Sequence, residues 1–513
     1  MEGVCEEKAF FQYYWGDIGS FYMTTLSRFR RAGAWQLSQI FVNVVAQFLY
    51  IGVMARLLSK SDFGLMAVAA GFIGIGVVFS EGGMGAALIQ RKEITQQHMN
   101  AALHGAVIFG FVFYALLITF SKSIAGFFGS PELIQMLYVV GLIIMLNSVA
   151  GIFMSLLHKS FSFHKAAPIS MLSTIVGYLS GVYFAFNGLG VWSLVWASLI
   201  IALINTVGYY SLSPVKLSLR FYKKEWAELF SFSSGMILLK IANYFNDTGL
   251  KLVVAKFLSL EMLGVFERAT KLKSIPSMHF GNLLDSIMFP AMSEVQEQED
   301  KLAKMYQYAL GVSNSLMIPG ACFLIFYARE IVVILLGNQW HEIVLPFQIM
   351  AAALPFAMST RMTDALVRAK GLVYKNVTRK YAFVMVLIAS SIAGAYYFGV
   401  VGVAVAVFIS QIFNYLTMVL LVKKLFGNGF IDTFLRPLME GAKLAAFVLI
   451  FIQLLDALAR LFDIPSIPSF LVTSFLLLSI VGAFGRWRPY FLGCYLSKFL
   501  IHIFNKDKAP AYK

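Results

Sequence analysis

The chain has 513 residues, of which 59% are hydrophobic and only 13% charged. A soluble domain carries about twice that charge, so the composition excludes a water-soluble globular protein and points to a polytopic membrane protein. The formal net charge of +15 then marks basic cytoplasmic loops rather than a nucleic-acid surface, and the three scattered cysteines, Cys5, Cys322 and Cys494, make no disulfide framework.

Residues 1–27 form an N-terminal tail; its first 22 residues lack the basic-then-apolar order of a signal peptide and read either as an extension upstream of a natural start at Met23, where regular text begins, or as an ordinary disordered tail. Apolar windows long enough to cross a hydrocarbon core then follow at 35–55, 63–90, 99–120, 133–157, 169–186, 191–211, 232–257, 262–292, 305–326, 331–358, 379–397, 401–422, 438–459 and 468–485. The expected fold is all-α, a polytopic membrane protein with about 14 transmembrane helices. The second window carries Gly71, Gly74, Gly76, Gly82, Gly83 and Gly85, the eighth carries Pro276, Gly281 and Pro290, and the tenth is interrupted from Gly337 to Glu342. Such breakers are tolerated at membrane depth only where protein or a cavity surrounds them. The connections 212–231 and 359–378 are basic, as cytoplasmic loops facing anionic lipid headgroups would be, and 487–513 is a C-terminal tail. The opposite loops carry Arg56, Lys60, Lys122, Lys256, Arg329 and Arg460, while most of the 41 Lys and Arg residues fall on the side of the termini. The positive-inside rule therefore puts both termini in the cytoplasm.

The chain repeats itself. Ala55-Arg-Leu-Leu-Ser-Lys-Ser-Asp-Phe-Gly64 recurs as Ala255-Lys-Phe-Leu-Ser-Leu-Glu-Met-Leu-Gly264, and Phe186-Asn-Gly-Leu-Gly190-Val191 recurs as Phe398-Gly-Val-Val-Gly402-Val403. Two six-helix lobes are expected, 28–211 and 232–423, joined by the basic linker 212–231 and followed by an appended helix pair at 424–486. An even number of spans per copy relates the lobes by an axis along the membrane normal, with a binding site between them.

The seventh and eighth windows carry charges that cost about 3 kcal/mol or more in hydrocarbon. At roughly 100° per residue, Lys240, Asn243, Tyr244, Asp247 and Lys251 share one helix face, and Glu267, Arg268, Lys271 and Asp285 share another; only Lys273 points away. Asp247 precedes Lys251, and Glu267 precedes Lys271, at the spacing of a helix ion pair. Basic residues still outnumber acidic ones after such pairing, which suits an anionic ligand. Lys240, Asn243, Asp247, Lys251, Arg268 and Lys271 are the candidate substrate-binding residues. Glu81 and Asp247 are the candidates for ion or proton coupling, Glu81 being equally readable as a solvated helix-end residue. There is no GxxxxGK[ST] phosphate loop, no HExxH and no Cys/His cluster, and His279 reads as a packed residue. No cofactor, metal or catalytic residue is expected, and the chain reads as a non-enzyme.

Phe63-Gly-Leu-Met-Ala-Val-Ala69 and Phe79-Ser-Glu-Gly-Gly-Met-Gly-Ala-Ala-Leu-Ile-Gln-Arg91-Lys92 resemble the first repeat of the bacterial polysaccharide transporter family. These are the Wzx-type flippases of the multidrug/oligosaccharidyl-lipid/polysaccharide exporter superfamily. Leu263-Gly-Val-Phe-Glu-Arg-Ala-Thr-Lys-Leu272 and Phe289-Pro-Ala-Met-Ser-Glu-Val-Gln296 resemble its second repeat. The resemblance implies a V-shaped pair of lobes in the inner membrane. They would flip undecaprenyl-diphosphate-linked oligosaccharide to the periplasmic leaflet by alternating access, alongside polymerase and export proteins of the same pathway. A drug antiporter or a lipid II flippase of the same superfamily shares the fold. A membrane-embedded polymerase or acyltransferase would need a long outward loop or an intramembrane catalytic pair.

Overall fold

A computed structural model describes residues 26–487 apart from 82–83, 92, 161, 214, 216, 219, 424–429 and 463. The tails at 1–25 and 488–513 lie outside the described residues, as do the side chains of Glu81, of 231–240, of Asn243, Asp247 and His279, and of some other helical positions. All regular structure among the described residues is helical. In hydrocarbon each unpaired backbone N–H or C=O is costly, and a helix satisfies them all within one segment. The order is α1 (Leu26–Leu57), α2 (Lys60–Glu81), α3 (Met84–Gln90), α4 (Gln96–Phe128), α5 (Glu132–Lys159), α6 (Phe163–Phe186), α7 (Trp192–Leu212), α8 (Lys223–Phe257), α9 (Leu260–Glu294), α10 (Glu299–Phe326), α11 (Ala328–Leu335), a 3-10 turn (Asn338–Ile343), α12 (Val344–Ala352), α13 (Leu354–Ala369), α14 (Val373–Val422), α15 (Phe430–Leu461) and α16 (Ser466–Trp487).

Nine helices among the described residues are long and apolar enough to cross a membrane. The remaining expected spans fall on the charged α8 and α9, on α12–α13, which bends by 40° at its break, on α16, and on the second half of α14. Helix α14 has 50 residues, about 75 Å of helix against a hydrocarbon core of about 30 Å. It turns back on itself at Gly399 (φ 61°, ψ −144°), a conformation essentially reserved for glycine. A Cβ on Gly394 or Gly402 would strike the other's backbone carbonyl, so the two spans of this hairpin touch closely. The all-α, polytopic expectation holds, and the eleventh and twelfth expected spans are joined in this one helical hairpin.

The chain divides into two compact units, Met1–Glu267 and Arg268–Lys513. In the first, α5 packs against α2, α4 and α7, and α8 packs along α2, α3 and α4. Met84, Leu88, Met99, Leu103, Ile152, Phe153 and Leu156 form a buried cluster there. In the second, α10 is the organising helix, packed on α12, α13 and α15.

The first sequence repeat has a structural meaning within the first unit. Ser59 caps α2: its Oγ accepts from Asp62 N at 3.2 Å, and Asp62 Oδ2 accepts from Ser59 N at 2.9 Å. Ser259, at the matching place, caps α9 by accepting from Met262 N at 3.1 Å. Gly64 and Gly264 then meet the opposite copy. A Cβ on Gly64 would collide with the Leu260 carbonyl, and one on Gly264 with the Lys60 carbonyl. Lys60 and Glu261 close the contact at 3.6 Å. The two copies therefore cross each other reciprocally, backbone on backbone. The second match is also a turn: Gly188 (φ 78°) and Gly190 (φ 53°) make it in the first copy, and Gly399 in the second.

Three expected boundaries move. The second window is two helices, α2 and α3. The connection 212–231 becomes helical from Lys223, and Ser218 N ties the segment before it to Asn100 Oδ1 at 2.9 Å. Most of 359–378 is not a loop, because α13 runs to Ala369 with Ser359, Met362, Thr363, Leu366 and Val367 buried. Its amphipathic pattern buries one face against α10 and α14.

Candidate functional site

In the first unit, three contacts hold α8 along its length. At its start, Arg91 Nη2 donates to Glu228 Oε2 at 2.6 Å, and His98 Nε2 lies 3.5 Å from the same oxygen. The Arg91 guanidinium's hydrogen bond holds the Glu228 carboxyl below the usual carboxylate range, with His98 adding to it and burial opposing it. Midway, Tyr244 OH donates to Gly71 O at 2.8 Å, and Gly71 and Gly74 leave room for the Tyr244 side chain and for Thr248. At the far end, Lys256 Nζ donates to Phe127 O at 3.1 Å.

Of the sequence-derived candidates on α8, Lys251 is described: its ammonium lies 3.2 Å from Glu267 Oε1 on α9. The ion pair thus crosses from helix to helix and is not confined to the spacing within one helix. Both side chains are largely shielded, at 20% and 12% exposure, and burial of this degree is tolerable because the charges are paired. Lys240, Asn243 and Asp247 on α8, and Glu81 on α2, lie outside the described residues as side chains.

In the second unit, α9 continues with Arg268 and Lys271, both half-buried, and further along with exposed Asn282 and half-buried Asp285. Asp285 meets two guanidiniums from α13. Arg368 Nη2 donates to its Oδ1 at 2.7 Å, and Arg361 Nη2 lies 3.7 Å from its Oδ2. Arg361 also donates to Asn282 Oδ1, and Gly281 makes space for its guanidinium, which a Cβ there would strike. Arg368 is held more firmly, with its Nε 3.2 Å from Asp364 Oδ2 and its guanidinium 4.8 Å from the centroid of the Phe289 ring. The network runs on through Asn376, which donates to Asp364, to Arg379, whose Nη2 donates to Asn376 Oδ1 at 3.0 Å. Arg379 also donates to Asn414 Oδ1 and, at 3.3 Å, to Thr417 Oγ1.

Arg361, Arg368 and Arg379 against Asp285 and Asp364 leave this network with an excess of positive charge. Sequence reasoning placed Asp285 on the polar face but missed its partners, because Arg361 and Arg368 sit in what reads as a cytoplasmic connection. The Asp364–Arg368 spacing, inside a periodic pattern of apolar residues, is the signal that could have found the helix. Among the described residues, no group of three His, Cys, Asp or Glu side chains is placed to hold a metal ion. What the side chains offer is hydrogen-bond donors and positive charge on helix faces, suited to holding an anion.

A family model described as polysaccharide biosynthesis protein matches residues 53–345. The chain is 25% identical over 294 residues to the succinoglycan biosynthesis transport protein ExoT of Rhizobium meliloti (strain 1021), covering 57% of this chain and 60% of that protein's length. It is 23% identical over 390 residues to the lipopolysaccharide biosynthesis protein WzxC of Escherichia coli (strain K12), covering 74% of this chain and 77% of that one. Among solved structures, the lipid II flippase MurJ in its inward closed conformation matches with a TM-score of 0.68 at 16% identity, over 88% of this chain and 99% of that one. At that identity the likeness is one of fold: an all-helical, multi-pass membrane protein.

Proposed function

The chain belongs to the polysaccharide biosynthesis protein family, and from that membership we propose that it is a flippase for undecaprenyl-diphosphate-linked oligosaccharide. It works by alternating access in the bacterial inner membrane, with both termini in the cytoplasm. The relatives' names support a transport step in the building of surface polysaccharide. The observation that carries the reading is the basic face of α9, with Arg268 and Lys271 half-buried in a span and a further guanidinium pair about Asp285. Cations at membrane depth are expensive, so those that occur there face a bundle interior or a hydrated cavity and commonly mark a substrate or ion pathway. A diphosphate bears about two negative charges and is well matched by Arg and Lys donors.

In this mechanism the diphosphate and sugars travel along the polar faces while the prenyl tail stays in lipid. Lys240, Asn243, Asp247, Lys251, Arg268 and Lys271 contact the headgroup, and Glu81 and Asp247 are the positions for ion coupling. No bond is made or broken, so the chain acts as a transporter and hands its product to the polymerase and export proteins of the same pathway. Lys240→Ala, Lys251→Ala and Arg268→Ala should each reduce export of surface polysaccharide while the protein still inserts at matched levels. Normal polysaccharide in all three variants removes the ligand role of this face.

A further inference from the structure

The two guanidiniums that meet Asp285 are held differently. Arg368 is fixed on three sides: Asp285 at 2.7 Å, Asp364 at 3.2 Å and the Phe289 ring. Arg361 has, among the described residues, only the looser 3.7 Å approach to Asp285 and the neutral amide oxygen of Asn282. One carboxylate is shared by two cations, and the better-placed cation takes the closer oxygen. Arg361 therefore keeps much of its positive charge unmatched, with 31% of its side chain exposed. Gly281 allows the guanidinium to lie flat against α9, where a larger residue would push it away. Arg361 is thus held by an exposed neutral acceptor on one side and a shared carboxylate on the other, with no carboxylate of its own among the described residues.

We propose that Arg361 is the first residue to take the diphosphate of the lipid-linked substrate, and that Asp285 is the internal anion which the diphosphate displaces. Arg368 is a positioning residue: it holds Asp285, and Asp285 holds Arg361 in wait. The assignment rests on the flippase reading above and refines it. On the orientation given by the loop charges, this end of α9 and of α13 lies at the cytoplasmic leaflet, where the substrate is made. The planar fork of Arg361 can bind two phosphate oxygens at once, which Lys cannot reproduce.

The test is equilibrium binding of geranylgeranyl diphosphate to the full-length protein in phosphatidylcholine nanodiscs, with geranylgeraniol as the uncharged control. The wild type should prefer the diphosphate, and Arg361→Gln should weaken its binding by about tenfold, the worth of one charge-assisted bond. Arg361→Lys should restore part of the loss. Asp285→Asn should tighten binding, since it removes the competing anion; a merely structural Asp285 would give the opposite sign. Thermal melts of each variant separate these outcomes from misfolding. Wild-type binding in a folded Arg361→Gln protein overturns the assignment, as does weakened binding in a folded Asp285→Asn protein. Displacement of the ligand by phosphatidylglycerol at equal concentration also overturns it, since the site then reads any anionic lipid. If the wild type does not distinguish diphosphate from alcohol, the flippase reading itself falls; if it does, and Arg361→Gln does too, only this assignment falls.

Discussion

At the scale of single residues, several described charges on α8 and α9 have specific partners, and each such pairing makes a prediction. Glu228 illustrates the sign. Its folded-state pKa is depressed, first by the hydrogen bond from Arg91. Its contribution to stability is therefore present above the ordinary carboxylate pKa and is lost as pH falls through the depressed value. The difference in melting temperature between wild type and Glu228→Gln should be constant near neutrality and vanish in acid; a difference unchanged by acid would contradict the pairing. Lys251 and Glu267, at 3.2 Å, should behave as a unit. Lys251→Ala leaves a shielded carboxylate without this ammonium, and adding Glu267→Gln should recover part of the lost thermal stability. The sequence shows that these residues are charged and share faces. It does not show their partners, because Glu267 answers Lys251 across two helices and Asp285 answers arginines some eighty positions away.

At the scale of elements, the repeat is the most informative feature. Ser59 and Ser259 begin α2 and α9, and Gly64 and Gly264 let those two helices cross with their backbones in contact. Gly64→Val and Gly264→Val must each displace a backbone carbonyl, and such overpacking costs about 1–3 kcal/mol or more. Both should melt clearly below the wild type, whereas Gly126→Ala and Gly320→Ala, where nothing lies within 4 Å of an added Cβ, should not. Equal tolerance at all four sites would contradict the crossing. The repeat was legible as matching residues, but two copies of a motif do not announce that they touch each other. Helix α13 was missed for another reason: Arg361, Asp364 and Arg368 lower its hydropathy, so it reads as a loop although its other face is buried. The polar break before it was legible and became the 3-10 turn Asn338–Ile343.

At the scale of the whole molecule, hydropathy reveals the fold because lipid leaves so few alternatives. A chain that must satisfy every backbone group within its own segments forms helices of membrane length. Nine such helices among the described residues, with membership of the polysaccharide biosynthesis protein family, are what the proposed transport of lipid-linked saccharide builds on. The particular glycan is less legible, since sugar hydroxyls are met by a few polar groups whose residue types are common everywhere. The most direct measurement follows the proposed substrate itself, in cells that have no other protein able to carry out the proposed translocation. Lipid-linked oligosaccharide should reach the periplasmic face with the wild type and stay on the cytoplasmic face with Arg268→Ala or Lys271→Ala at equal protein levels. Arrival undiminished in both variants, or no arrival with the wild type, would contradict the account.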